Sequence, residues 1–196
     1  MRGAEKIVES VAGKSPALIS MGGQPKTNLL GETYFSQTPF LYGDYMAKFE
    51  LAPVSPELTA LTNAPLDVDG RRNALRETVS DFFRANDGEW ELRVQLCTDI
   101  DSMPIEDAKV VWPEDRSPYV TVATVHVPPQ QTWDEADAQR YEDCSAFSPW
   151  HGLAAHRPLG SVNRVRRAAY EMAEQFRARR NRRDVAEPRT LRDIPA

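Results

Sequence analysis

Glu89-Trp90-Glu91-Leu92-Arg93-Val94-Gln95-Leu96 alternates polar with apolar side chains without a break, and a period of two marks a β-strand with one face turned toward a core. Trp90, Leu92, Val94 and Leu96 share one face, and Glu91, Arg93 and Gln95 share the other. Asp87-Gly88 punctuates the chain just before this strand. Upstream, Arg71 to Arg84 sets Leu75, Val79, Phe82 and Phe83 on one side at helical spacing, which predicts a helix. Further upstream, Tyr45, Ala47, Phe49 and Leu51 alternate with Met46, Lys48 and Glu50. Pro39 and Gly43 interrupt that region, so Tyr34 to Leu51 is either one long strand or a hairpin of two.

Downstream, Met103 to Pro113 is a long connection, and Tyr119 to Val127 supplies another strand through Val120, Val122, Val125 and Val127. A short acidic helix is expected from Trp133 to about Asp143, then the irregular stretch Phe147-Ser148-Pro149-Trp150-His151-Gly152. The last helix runs from Ser161, an expected N-cap after Gly160, to about Arg180, with an apolar stripe of Val165, Ala169, Met172 and Phe176. Strands followed by a final helix make an α+β domain with an antiparallel sheet.

The 196 residues suit one domain. Residues 33–181 form it, 1–32 read as a connector broken by Gly13, Pro16, Gly22, Gly23, Pro25 and Gly31 after a short helix near Glu5 to Val11, and 182–196 read as a flexible tail. Apolar residues at 41% and charged residues at 27% belong to a globular protein. A formal charge of -5 argues against a broad nucleic-acid surface. The basic run Arg177, Arg179, Arg180, Arg182 and Arg183 reads as a solvated helix end complementing the helix dipole. Cys97 and Cys144 read as reduced thiols, and with no signal segment or membrane-spanning window a cytoplasmic protein with no membrane partner is expected.

Four blocks carry a resemblance. Glu89 to Leu96, then Val111-Trp112-Pro113-Glu114, then Ala146-Phe147-Ser148-Pro149, then Arg166-x-x-x-Tyr170 stand in the order and approximate spacing found in catalases. The resemblance spans roughly Thr33 to Arg177, and implies part of a catalase-like β-barrel with a C-terminal proximal haem helix. It also implies a haem cofactor whose iron is held by Tyr170, because a tyrosine phenolate is the proximal ligand in catalases. A tyrosine ordinarily titrates at about pH 10, and a guanidinium one helical turn earlier favours the anionic form; Arg166 has that place. Tyr34-Phe35-Ser36-Gln37-Thr38 is similar to the family strand in which a histidine contacts this arginine. Gln37 replaces that histidine and can orient Arg166 without passing protons. Gly160 stands about where the family carries an aspartate.

The resemblance implies hydrogen peroxide or an organic hydroperoxide as substrate. The distal histidine and asparagine that handle peroxide in catalases come from the half of the domain upstream of these blocks. His126 reads as a strand residue facing solvent or a neighbour, and His151 and His156 read as loop groups. A barrel that lacks strands leaves unpaired edges. The chain is therefore expected to form homo-oligomers or to recruit a partner bearing the missing strands. The alternative is a haem-free remnant that uses its open sheet edge in assembly.

Overall fold

In the computed structural model, residues 25–185 and Thr190 are described; the expected helix near Glu5 to Val11, most of the connector and most of the tail lie outside them. A sheet of antiparallel strands organises the chain, its strands being β1 (Tyr34–Phe35), β2 (Phe40–Tyr42), β3 (Tyr45–Pro53), β4 (Gly88–Leu96) and β5 (Val120–Val127). β1 and β2 lie end to end along one edge of β3, with β4 and then β5 following on the other side. The hairpin reading of the first strand region is the one adopted: Gly43, at φ +63°, turns β2 back onto β3, so that Tyr42 faces Tyr45.

β3 and β4 pair from Ala47 opposite Leu96 to Pro53 opposite Trp90. Directly opposed residues share a face, so Phe49, Leu51, Leu92 and Val94 stand on one side and Lys48, Glu50, Arg93 and Gln95 on the other. The apolar side meets α1 (Pro56–Thr59) and α2 (Ala74–Phe83). Leu30, Leu58, Phe83 and Trp90 form the core there, with Val79, Phe82 and Leu51 packed around them. Two helical expectations shift: α2 starts three residues later than its pattern suggests, and Leu75 is exposed while Ala74 is buried. Leu30, within the expected connector, is part of this core.

The polar side is also covered, which alternation alone does not reveal. The connection between β4 and β5 folds across it and places Trp112 and Met103 at 1% and 0% exposure. Gln95 donates to the carbonyls of Trp112 and Ser117 at 3.2 and 2.9 Å. Lys48 donates to the carbonyl of Val110 at 3.1 Å and stands over the Trp112 ring. Glu50 is buried but accepts from Arg93 at 3.0 Å, and Arg93 also binds Glu91 at 2.7 Å. Each buried polar group on this face has a partner, as burial requires.

The sheet stays open. Past β5, whose residues are mostly exposed, no further strand follows among the described residues. The opposite edge is covered, because the amides of Leu41 and Gly43 donate to the carbonyls of Arg157 and Ala155 at 2.9 and 3.0 Å. α3 (Glu135–Cys144) and α4 (Gly160–Asn181) complete the fold, joined by short 3-10 turns at Pro149–His151 and Ala154–His156. Asp134 caps α3 by accepting from the amides of Ala136 and Asp137.

Candidate functional site

α4 is positioned at its first turn. The Leu159 amide donates to the Pro39 carbonyl at 3.0 Å, and Pro158 bridges to Phe40 of β2. Gly160 follows at φ +84°, and a Cβ there would lie 2.5 Å from the carbonyl oxygen of Ile105. The close approach and the backbone angle both demand glycine, which explains why no aspartate stands there. Ser161 does not cap the helix as expected: Leu159 holds the N-cap position, and the Ser161 hydroxyl donates to the Glu106 carbonyl at 3.2 Å. Arg164 grips the Glu106 carboxylate through both of its terminal nitrogens, at 2.9 and 2.8 Å. That bidentate pairing holds the Glu106 carboxyl below the usual carboxylate range.

Inside this clamp sits Asn163, at 0% exposure. Its amide nitrogen donates to the carbonyls of Leu159 and Pro39 at 2.8 and 3.3 Å. Its amide oxygen accepts from Arg166 at 3.1 Å, and the Arg166 guanidinium in turn donates to the Tyr170 hydroxyl at 2.8 Å. The three side chains thus form one chain from the β-sheet to the phenol oxygen. Gln37 is exposed and makes no hydrogen bond to Arg166. Asn163 does the orienting that was expected of Gln37. Its sequence signal was an asparagine one turn before the arginine.

Tyr170 is 36% exposed and borders an open cleft of about 740 Å³. Ala169 and Ala173 of α4 form one wall, and Tyr141, Ala146 and Phe147 form the other. The Tyr141 and Phe147 rings lie tilted at 55° to each other with their centroids 6.0 Å apart. Arg177, expected to be solvated, closes the floor by donating to the carbonyls of Glu142 and Ser145 at 2.7 and 2.8 Å. Asn181 donates to Asp143 at 2.9 Å. α3 and α4 are therefore held as two sides of one trough.

The histidines stand elsewhere. His126 lies 3.2 Å from Asp87, the His156 ring packs on Tyr42 at 5.8 Å, and His151 closes the turn after Pro149. Cys97 and Cys144 are free thiols. Among the described residues, no cluster of three or more His, Cys, Asp or Glu side chains is placed to hold a metal. No described helix is long and apolar enough to cross a membrane. A phenol oxygen with a fixed cationic donor suits a hard, high-valent metal. Apolar walls beside it suit a flat organic ring. The donor set thus fits the near side of a tyrosinate-ligated haem.

No family model matches the chain, and no curated protein matches its sequence. Among solved structures, a fungal catalase superposes with a TM-score of 0.58 at 18% identity, over 82% of this chain and 34% of its own. Catalase A from Saccharomyces cerevisiae gives 0.53 at 16%, over 76% of this chain and 32% of its own. A bacterial catalase gives 0.57 at 17%, over 89% of this chain and 34% of its own. At that identity the likeness is one of fold, and an open sheet is in keeping with it: the chain has a partial catalase-like fold, spanning about a third of the length of the catalases it matches.

Proposed function

We propose that this chain is a haem-binding, catalase-like protein of hydrogen peroxide or organic hydroperoxide metabolism, in which Tyr170 ligates the iron and Arg166 steadies the phenolate. The observation that carries the reading is the Arg166 to Tyr170 hydrogen bond of 2.8 Å, on the rim of an apolar-walled cleft. Bound ferric haem would supply the redox centre for peroxide chemistry. The chain's own residues would hold and orient it: Asn163 fixes Arg166, Arg166 keeps its positive charge beside the phenol oxygen, and Phe147 and Ala173 wall the ring. A partner chain bearing the strands absent here would pair along β5 and bring the groups that face peroxide.

Titration of the chain with hemin tests this. A Soret band with the charge-transfer features of a high-spin tyrosinate complex is expected, and Tyr170→Phe should abolish those features. An identical spectrum for parent and variant refutes the ligand. Hydrogen peroxide decomposition by the chain alone should stay near that of free hemin. The exposed edge of β5 favours a second reading, a haem-free assembly module; absence of any hemin complex, together with oligomers that dissociate in Thr124→Pro, would select it.

A further inference from the structure

Val162, Val165, Ala169, Met172 and Phe176 recur along α4 at intervals of three and four residues, the spacing of a seam between two helices. All five are exposed, and Val162, Val165, Met172 and Phe176 reach 42%, 71%, 67% and 63%. With about 100° of turn per residue, the seam lies roughly a third of a turn away from the face bearing Tyr170, Ala173 and Arg177. It meets the cleft at Ala169, which lines both, while Val162, Val165, Met172 and Phe176 stand outside it. α3 and the Pro149–His151 turn hold other faces of the helix, through Arg177, Asn181, Asn163 and Arg167. Nothing among the described residues covers the seam. A soluble chain rarely leaves so continuous an apolar stripe bare unless another molecule lies on it.

Charge identifies the kind of molecule. Arg180 flanks the seam, Arg179 prolongs it, and Arg182 and Arg183 follow, while Glu171 and Glu174 point to the far side of the helix; Arg166 lies toward the cleft, held by Asn163 and Tyr170. A second copy is opposed by these charges. Parallel pairing would set Arg179 and Arg180 against themselves, and antiparallel pairing would give them no carboxylate to meet, because Glu171 and Glu174 lie on the far side of the helix. The helix already shows what it accepts on its other flank, where the acidic α3 lies alongside and Asn181 binds Asp143. We propose that the α4 seam docks an acidic amphipathic helix of another polypeptide. That helix would be apolar where it meets Val165, Met172 and Phe176, and would carry carboxylates where it meets Arg179 and Arg180.

A labelled synthetic peptide tests the proposal against the full chain. The probe is a 21-residue helix with leucine along one seam and glutamate on both flanks; the control carries lysine on the flanks. Fluorescence anisotropy should show saturable binding of the glutamate peptide, about tenfold or more tighter than the lysine peptide, and weakening as salt rises. Met172→Glu and Phe176→Glu should each weaken it by about tenfold or more, while circular dichroism and the hemin spectrum stay those of the parent. Equal binding of the two peptides, or no effect of the variants, overturns the proposal. So does binding to phosphatidylserine vesicles without binding to the peptide, which would make the seam a membrane surface. A parent dimer that Met172→Glu turns into a monomer overturns it too, because a second copy would then be the occupant.

Discussion

Replacing Asn163 with alanine tests how the site is built. The side chain is fully buried and makes three hydrogen bonds, two to carbonyls at 2.8 and 3.3 Å and one from Arg166 at 3.1 Å. A neutral hydrogen bond contributes about 1 kcal/mol net, and one with a charged partner about 1.5–3 kcal/mol. Pro39 would lose a donor in a buried place, and a small void would open. Discounting the longest bond, the loss should come to about 2–4 kcal/mol. Urea unfolding followed by tryptophan fluorescence is a well-placed assay, because the Trp150 indole donates to the Asn163 backbone carbonyl at 3.0 Å and reports on this turn. The same variant frees Arg166 from its tether, so hemin affinity should fall severalfold while the spectrum of the complex formed keeps its tyrosinate features. Asn163→Asp separates the two roles: its carboxylate repels the carbonyls of Leu159 and Pro39 but holds Arg166 more tightly. Stability should fall and hemin affinity should survive. A loss below about 1 kcal/mol in Asn163→Ala, with unchanged hemin affinity, would refute the idea that this residue seats both the helix and the arginine.

Gly160→Ala should cost at least about 2 kcal/mol, from the positive φ and from contact with the Ile105 carbonyl at 2.5 Å; an unchanged urea midpoint would show that the 105–106 segment yields freely. Burial, with Glu50 and Glu114 nearby, pushes the Tyr119 phenol up to about 12. The fold thus favours the protonated ring, a contribution present below the free tyrosine value of about 10 and lost as pH rises from there through about 12. Tyr119→Phe should flatten that alkaline loss of stability, leaving the smaller part due to Tyr34, which is also raised by burial and by Glu32; an alkaline limb identical to the parent's would refute it. Burial lowers the Lys48 amine, whose partners are one carbonyl and the Trp112 ring. Lys48→Met should therefore leave stability at pH 7 within about 1 kcal/mol of the parent or above it, and should remove the gain that the parent shows as pH climbs toward the free lysine value. A larger loss at pH 7 would mean that the ammonium is a needed strut.

The sheet was legible because its strands obey a simple period. Trp90, Leu92, Val94 and Leu96 have to share a face whatever packs on it, and β4 runs almost from end to end where alternation puts it. What covers each face was not legible. Gln95, Lys48 and Glu50 look like solvent-side residues, yet the long connection folds over them and satisfies each one. Period says which residues agree in direction, and cannot say whether a loop will bring its carbonyls to meet them. The start of α4 shows the same limit: Ser161 has the chemistry of a cap, but a carbonyl at Glu106, fifty-five residues away in sequence, competes for its hydroxyl. The Arg166 and Tyr170 pair was readable because four residues on a helix fix the geometry. Gln37 depended on a strand lying against that helix. In this chain Pro39 makes the contact instead, through Asn163.

The bare surfaces have a common origin in this geometry. An antiparallel sheet that covers both faces of its central strands still has two edges, and only one is blunted here, by the segment that leads into α4. α4 is likewise fixed by its first turn and by one flank, so its apolar seam has no neighbour among the described residues. The clamp at Gly160, Asn163 and Arg164 is local and needs no neighbour, which is why the phenol and guanidinium can be held in place while the far side of the cleft stays open. A chain built this way holds the Tyr170 oxygen in place by itself but leaves the cleft beside it open. The proposed partners, one along β5 and one on the seam of α4, are set by which surfaces the fold leaves exposed.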